Sequence, residues 1–120
     1  MKMLGALAGL MKNKDKVQEA ARRTRAKLES TRVVGEAGGG AARAVVRGTM
    51  MVERVELSPA LLTGMAADER TRELAAGLIA QAVNAGLVQA RQRLHEAINA
   101  EAKELGLEGV VPDLANFMGP

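Results

Sequence analysis

The sequence predicts an α+β fold in which a long N-terminal helix, a three-stranded antiparallel sheet and a long C-terminal helix assemble as a homodimer. Three observations carry this. Both ends of the chain follow a helical period, the middle is β-branched and punctuated by glycine, and the two helices are too long for a 12.6 kDa globule.

From Met3 to about Ser30 there is no glycine past Gly9 and no proline. Met3, Leu7, Leu10, Lys14, Val17, Ala21, Thr24 and Leu28 recur at steps of four and three, a heptad-like seam with two imperfect positions. The apolar stretch Met3–Met11 follows a single lysine and merges into the Lys/Arg-rich helix with no polar cleavage region. It reads as helix rather than leader. Nothing approaches the ~20 apolar residues of a membrane span.

Val33-Val34, Ala42 to Arg47 and Met50 to Leu57 then read as three short antiparallel strands, the first two separated by Gly38-Gly39-Gly40. Ala42, Ala44 and Val46 share one face of strand two, against Arg43, Val45 and Arg47. In strand three, Val55 and Leu57 oppose Arg54 and Glu56, so one side of the sheet is solvated and the other is covered by helix. Gly48-Thr49 is expected to make the tight turn, glycine supplying the positive φ.

Ser58-Pro59 opens a turn of helix through Leu62, with Ser as cap and Pro at the first helical position, and Gly64 is expected to close it. A second long helix is predicted from about Asp68 to Leu105. Its apolar stripe is Leu74, Leu78, Val83, Leu87, Leu94, Ile98 and Leu105, and Gly86 within it implies a close backbone contact. Residues 1–106 form one domain, and 107–120 are a Gly/Pro-containing irregular tail. Helices of ~28 and ~38 residues extend ~42 and ~57 Å. They must project beyond the sheet, and their uncovered seams call for a second copy.

Composition narrows the function. No cysteine means no thiolate nucleophile and no zinc ribbon, consistent with a cytoplasmic location. His95, the one histidine, has no carboxylate cluster beside it in sequence, and the triple glycine lacks the Gly-Lys-Ser/Thr and following helix of a phosphate-binding loop. No enzymatic activity, cofactor, metal or small-molecule substrate is expected. Phe117 is the sole aromatic, which disfavours single-stranded nucleic acid, whose bases stack on aromatic rings.

Charge is uneven: of a formal net +3, residues 1–32 carry +6 and the remainder −3. On a helical wheel Lys12, Lys16, Arg23 and Lys27 fall within an arc of about 60°, roughly opposite the apolar seam. Such a ridge suits phosphates spaced along a duplex, because Lys and Arg release condensed counterions whatever the base sequence. Arg22 stands off the ridge but belongs to the same Arg-rich stretch and is retained as a DNA-binding candidate. Arg91 and Arg93 on the second long helix are secondary candidates. Lys14 and Arg25 flank the seam, and Arg43 and Arg47 read as solvated strand positions.

In order along the chain, Leu10-Met11-Lys12, Val34-Gly35-Glu36-Ala37-Gly38-Gly39-Gly40, Arg47-Gly48 and Val52-Glu53-Arg54-Val55-Glu56-Leu57-Ser58-Pro59 resemble the YbaB/EbfC family, as does the long helix containing Asn84. The resemblance implies a tweezer-like, intertwined homodimer with paired sheets at its centre. It also implies a nucleoid-associated protein that binds double-stranded DNA with low sequence selectivity and contributes to nucleoid organisation and gene regulation. Ala42 and Ala44 stand where family strands usually place Val, so a thinner sheet core is expected. The competing reading is a non-enzymatic helical dimer whose basic helix docks an acidic partner protein or an anionic membrane surface.

Overall fold

A computed structural model describes residues 14–106. The elements run α1 (Lys14–Ser30), β1 (Arg32–Ala37), β2 (Ala42–Arg47), β3 (Val52–Leu57), α2 (Pro59–Ala67) and α3 (Glu69–Glu104). The strands form an antiparallel sheet in the order β1-β2-β3. The helix–sheet–helix layout and all three strands agree with the sequence reading. The expected helical residues before Lys14 and the tail from 107 lie outside the described residues.

Packing begins with small residues on α3. Its fully covered positions are Ala75, Ala82, Gly86, Ala90, Ala97 and Ala102, while Leu78, Val83, Leu87, Leu94, Ile98 and Leu105 are only half-buried and Leu74 is exposed. The predicted leucine stripe therefore flanks the contact line and does not form it. The reason is distance. A Cβ on Gly35 of β1 would overlap the Ala82 carbonyl oxygen and the Gly86 nitrogen, and a Cβ on Gly86 would lie 2.6 Å from Val46 Cγ2. Backbone meets backbone here, so only Gly and Ala fit the line. Gln89 reinforces it by donating from Nε2 to the Val34 carbonyl at 2.8 Å. Val33, Ala42, Ala44 and Val46 supply the sheet's side of the core, with Leu78, Ile79, Val83 and Leu87 packed around them.

Two local expectations are corrected, and the third strand carries a bulge. The β2–β3 turn places its positive φ at Met50 (φ 68) and not at Gly48. Met50 donates its N–H to the Arg47 carbonyl and Arg47 donates to Met51, a three-residue hairpin loop ending in a left-handed residue. Gly48 is needed for room instead, because a Cβ there would lie 2.8 Å from the Leu28 carbonyl oxygen at the end of α1. Gly64 does not close α2, which continues to Ala67. It makes space for Thr71 of α3, whose Cγ2 would lie 2.8 Å from a Cβ. Finally, Ala44 pairs with Val55 and Val45 with Arg54, but Val46 pairs with Val52, leaving Glu53 as a bulged extra residue. The bulge turns Glu53 to the solvated face and Val52 to the helix face.

Caps mark the other boundaries. Ser58 Oγ accepts from Leu61 N–H at 3.1 Å with Pro59 at the first helical position, and Asp68 Oδ1 accepts from Arg70 N–H at 3.0 Å. At the end of α1 the Ser30 and Thr31 hydroxyls both donate to the Lys27 carbonyl. A helix of 36 residues is ~54 Å long. It overhangs the sheet, and α1 lies antiparallel along the overhang with Ala20 and Leu28 buried and Val17 and Thr24 half-buried. The result measures 63 × 26 × 16 Å. Helix-face residues Val52 and Val55 on β3, with Met51, Leu62, Leu74 and Val88, stay exposed.

Gly35→Ala is expected to destabilise by at least ~3 kcal/mol, since the obstruction is backbone, and Gly86→Ala by ~1–3 kcal/mol, since Val46 can partly adjust. Gly77→Ala, in the same helix with open space around the new methyl, is expected to stabilise by ~0.5–1 kcal/mol. Urea unfolding followed by circular dichroism at one protein concentration checks the order; equal effects at all three positions would contradict the close-contact account.

Candidate nucleic-acid interface

The cations sort by what already neutralises them. On the solvated face of the sheet, Arg32 grips Glu53 with three hydrogen bonds, Nε to Oε2 at 2.9 Å and to Oε1 at 3.2 Å, and one terminal nitrogen to Oε1 at 3.0 Å. Arg47 reaches the same carboxylate at 3.2 Å, Arg54 pairs with Glu56 at 3.0 Å, and Arg43 pairs with Glu36 at 3.0 Å. Every arginine of this face has a carboxylate partner. Val45 sits between Val34 and Arg54 in the ladder and is only 5% exposed although it shares this face. This face is a lattice of ion pairs, in which Arg47 Nε is buried without a hydrogen-bond partner, and not a free positive surface.

Helix α1 differs. Arg22 is tied to Glu19 one turn earlier, lowering the pKa of that carboxylate, and Arg25 pairs with Glu29 at 3.3 Å. Arg23 crosses to α3 and donates to Glu101 Oε2 at 3.1 Å. Lys14, Lys16 and Lys27 are exposed and make no ion pair among the described residues. Lys16 and Arg23 border a shallow depression with Asp15, Glu19 and Glu104.

These contacts re-aim the predicted ridge. Burial of Ala20 in place of Ala21 rotates the packed side of α1, so Lys16, Arg23 and Lys27 stand roughly a quarter-turn from it. They line the flank of α1 beside α3 and do not crown its far side. Lys12 lies outside the described residues. Arg91 is exposed and makes no ion pair among the described residues, whereas Arg93 pairs with Glu96 at 3.5 Å. Two residues apart on one helix, Arg91 and Arg93 point roughly 200° apart and cannot join a single face.

Among the described residues no cluster of three or more His, Cys, Asp or Glu could hold a metal, and no helix is long and apolar enough to cross a membrane. What remains is a slender basic helix braced on a longer one.

The profile of the YbaB/EbfC DNA-binding family matches residues 3–105, nearly the whole chain. The chain belongs to this family. Its relatives include a nucleoid-associated protein of Pseudomonas fluorescens, 38% identical over 87 residues that cover 72% of this chain and 76% of the relative. A nucleoid-associated protein of Nostoc punctiforme is 34% identical over 75% of this chain and 76% of its own length. One from Neisseria meningitidis is 30% identical over 92% and 93%.

In this YbaB/EbfC chain, sequence periodicity located the basic helix but not the carboxylates facing it. Glu101 and Glu104 lie 78 or more residues from Arg23, and no spacing rule connects them. Glu53 was hidden differently, because simple alternation assigns it to the helix face and the bulge moves it.

Hydrogen bonding from Arg32, with help from Arg47, holds the Glu53 carboxyl at a pKa of about 2 against its usual 4.5. A depressed carboxyl pKa contributes stability that is present above pH 4.5 and lost as pH falls towards 2. Glu53→Gln is therefore expected to lower the urea midpoint at pH 7, with the gap to the parent narrowing between pH 4.5 and 2. A gap unchanged across that window would show that the Glu53 charge does not matter to folding.

Proposed function

We propose that this protein is a nucleoid-associated, non-enzymatic homodimer that binds double-stranded DNA with low sequence selectivity, mainly through backbone phosphates, and so contributes to nucleoid organisation and gene regulation. The observation that carries the reading is the α1 flank, where Lys16 and Lys27 make no ion pair among the described residues while the arginines of the sheet are neutralised in place. Membership of a DNA-binding family and the names of the relatives supply the ligand class.

Point-like ammonium groups on a rigid helix neutralise phosphates without reading bases, which explains weak selectivity. Lys12, Lys16, Arg23 and Lys27 form the principal contact line, Arg22 a flanking cation, and Arg91 and Arg93 secondary contacts from opposite sides of α3. Dimerisation follows from the exposed apolar side chains of β3, α2 and α3 on a body only 16 Å thick in one direction. A tweezer-like pair would present two basic helices to one duplex.

If four to eight phosphates are neutralised per dimer, affinity for a random duplex is expected to fall ~10²–10⁴-fold between 50 and 200 mM salt, with unrelated duplexes competing within about tenfold. Mobility shifts over a salt series measure this, and salt-independent binding would point to base readout. Changing Lys12, Lys16, Arg23 and Lys27 together to Gln is expected to leave a helical dimer by light scattering while weakening duplex binding at least ~10-fold. Glu101→Gln should act oppositely, releasing Arg23 and removing a nearby negative charge, so that duplex affinity rises. If the quadruple variant binds DNA as the parent does, or binding appears only on anionic vesicles, the proposed interface is wrong.

A further inference from the structure

The inner side of the α1–α3 pair holds an apolar groove of about 530 Å³. Val17, Ala21 and Leu28 of α1 face Leu94, Ile98 and Leu105 of α3 across it, and Met50 of the hairpin closes one end. A solvated groove of this size and lining is unfavourable for a water-exposed surface.

We propose that this groove is the docking site of the chain's own residues 107–120. Four observations single out this occupant. First, the chain leaves α3 at the groove itself: Leu105 lines it, and Gly106 follows with a left-handed φ of +71, ending the helical path with its N–H donated to the Lys103 carbonyl. Second, length suffices. Fourteen residues in extended form reach ~45 Å, and Val17 to Leu28 spans only ~17 Å of helix.

Third, the tail has the right apolar content. Leu107, Val110, Val111, Leu114, Phe117 and Met118 make six large apolar groups in fourteen residues and include the chain's sole aromatic. Pro112, with Gly109 and Gly119, disfavours a continuing helix and favours an extended strip laid along a groove. Fourth, charge permits docking: the tail carries Glu108 and Asp113 and no Lys or Arg, the groove-lining carboxylate Glu101 is already paired with Arg23, and the α1 side carries Arg25, bound to the exposed Glu29, with Lys14 on the same stripe of the helix. Docking of this kind staples α1 to α3 by covering their seam from the side away from Lys16, Arg23 and Lys27. It therefore stands apart from the DNA reading and is tested without nucleic acid.

Because the chain contains no Trp, Tyr or Cys, single substitutions give clean probes. Phe117→Trp in the full-length chain is expected to emit blue-shifted relative to a free peptide of residues 107–120 carrying the same change. Ala21→Cys combined with Phe117→Cys is expected to form an intrachain disulfide under mild oxidation, migrating as a monomer on a denaturing gel. Chains ending at Gly106 are expected to bind more of a hydrophobic dye while keeping their helical signal. Emission matching the free peptide would overturn the proposal. So would disulfide-linked dimers formed by Ala21→Cys alone, which would mean that a second copy covers the groove. Dimers formed only by the double variant would equally overturn it, because the occupant would be the partner's tail.

Discussion

The fold depends on one contact, the backbone-to-backbone approach of α3 to the sheet at Gly35 and Gly86. A side chain at either position would collide with main chain or with the buried Val46, so the two glycines set how near the helix can lie. Once that distance is short, the rest of the contact line must be alanine, and Ala75, Ala82 and Ala90 occupy it. The small residues bury little area each, and the seal is completed by larger neighbours leaning in from both sides. A thin core made of Ala and Val on the sheet and Ala on the helix is thus a geometric consequence of close approach.

That approach has two effects on the distribution of apolar surface. It aligns α3 over β1 and β2, leaving the helix face of β3 with Val52 and Val55 in the open. It also leaves the C-terminal half of α3 overhanging the sheet, where α1 packs along it. Gly48 lets the end of α1 close down on the hairpin, so one short turn both links β2 to β3 and receives the basic helix. Structure and charge are coupled through that helix: its packed side selects which lysines remain turned to solvent.

The ionic side chains divide the same way. On the sheet, the bulge at Glu53 gathers three arginines around one carboxylate and neutralises them in place. On α1, local pairs hold Arg22 and Arg25, and the cross-helix pair with Glu101 holds Arg23. Exposed pairs of this kind are weak and exchange readily for a phosphate. Lys16 and Lys27 make no ion pair among the described residues, so the proposed phosphate contacts would cost them no such exchange.

Legible in the linear chain were the element order, the first helix from Lys14 to Ser30, the long second helix, the three strands, the Ser58 cap and the concentration of positive charge on the first helix. All of these rest on local periodicity, propensity and composition, which a linear chain displays openly. Even the close contact at Gly86 was legible, because glycine inside a long helix is costly unless a neighbour needs the space. Which face of each helix packs emerged only on assembly. Ala and Leu are both apolar to a periodicity argument, yet a backbone contact admits one and excludes the other, so the burial line runs through the alanines. The same holds for Glu53, displaced by a bulge that alternation cannot foresee, and for Glu101, brought to Arg23 across 78 residues of chain. Such choices depend on separations between main chains, and a separation exists only once the elements have been assembled.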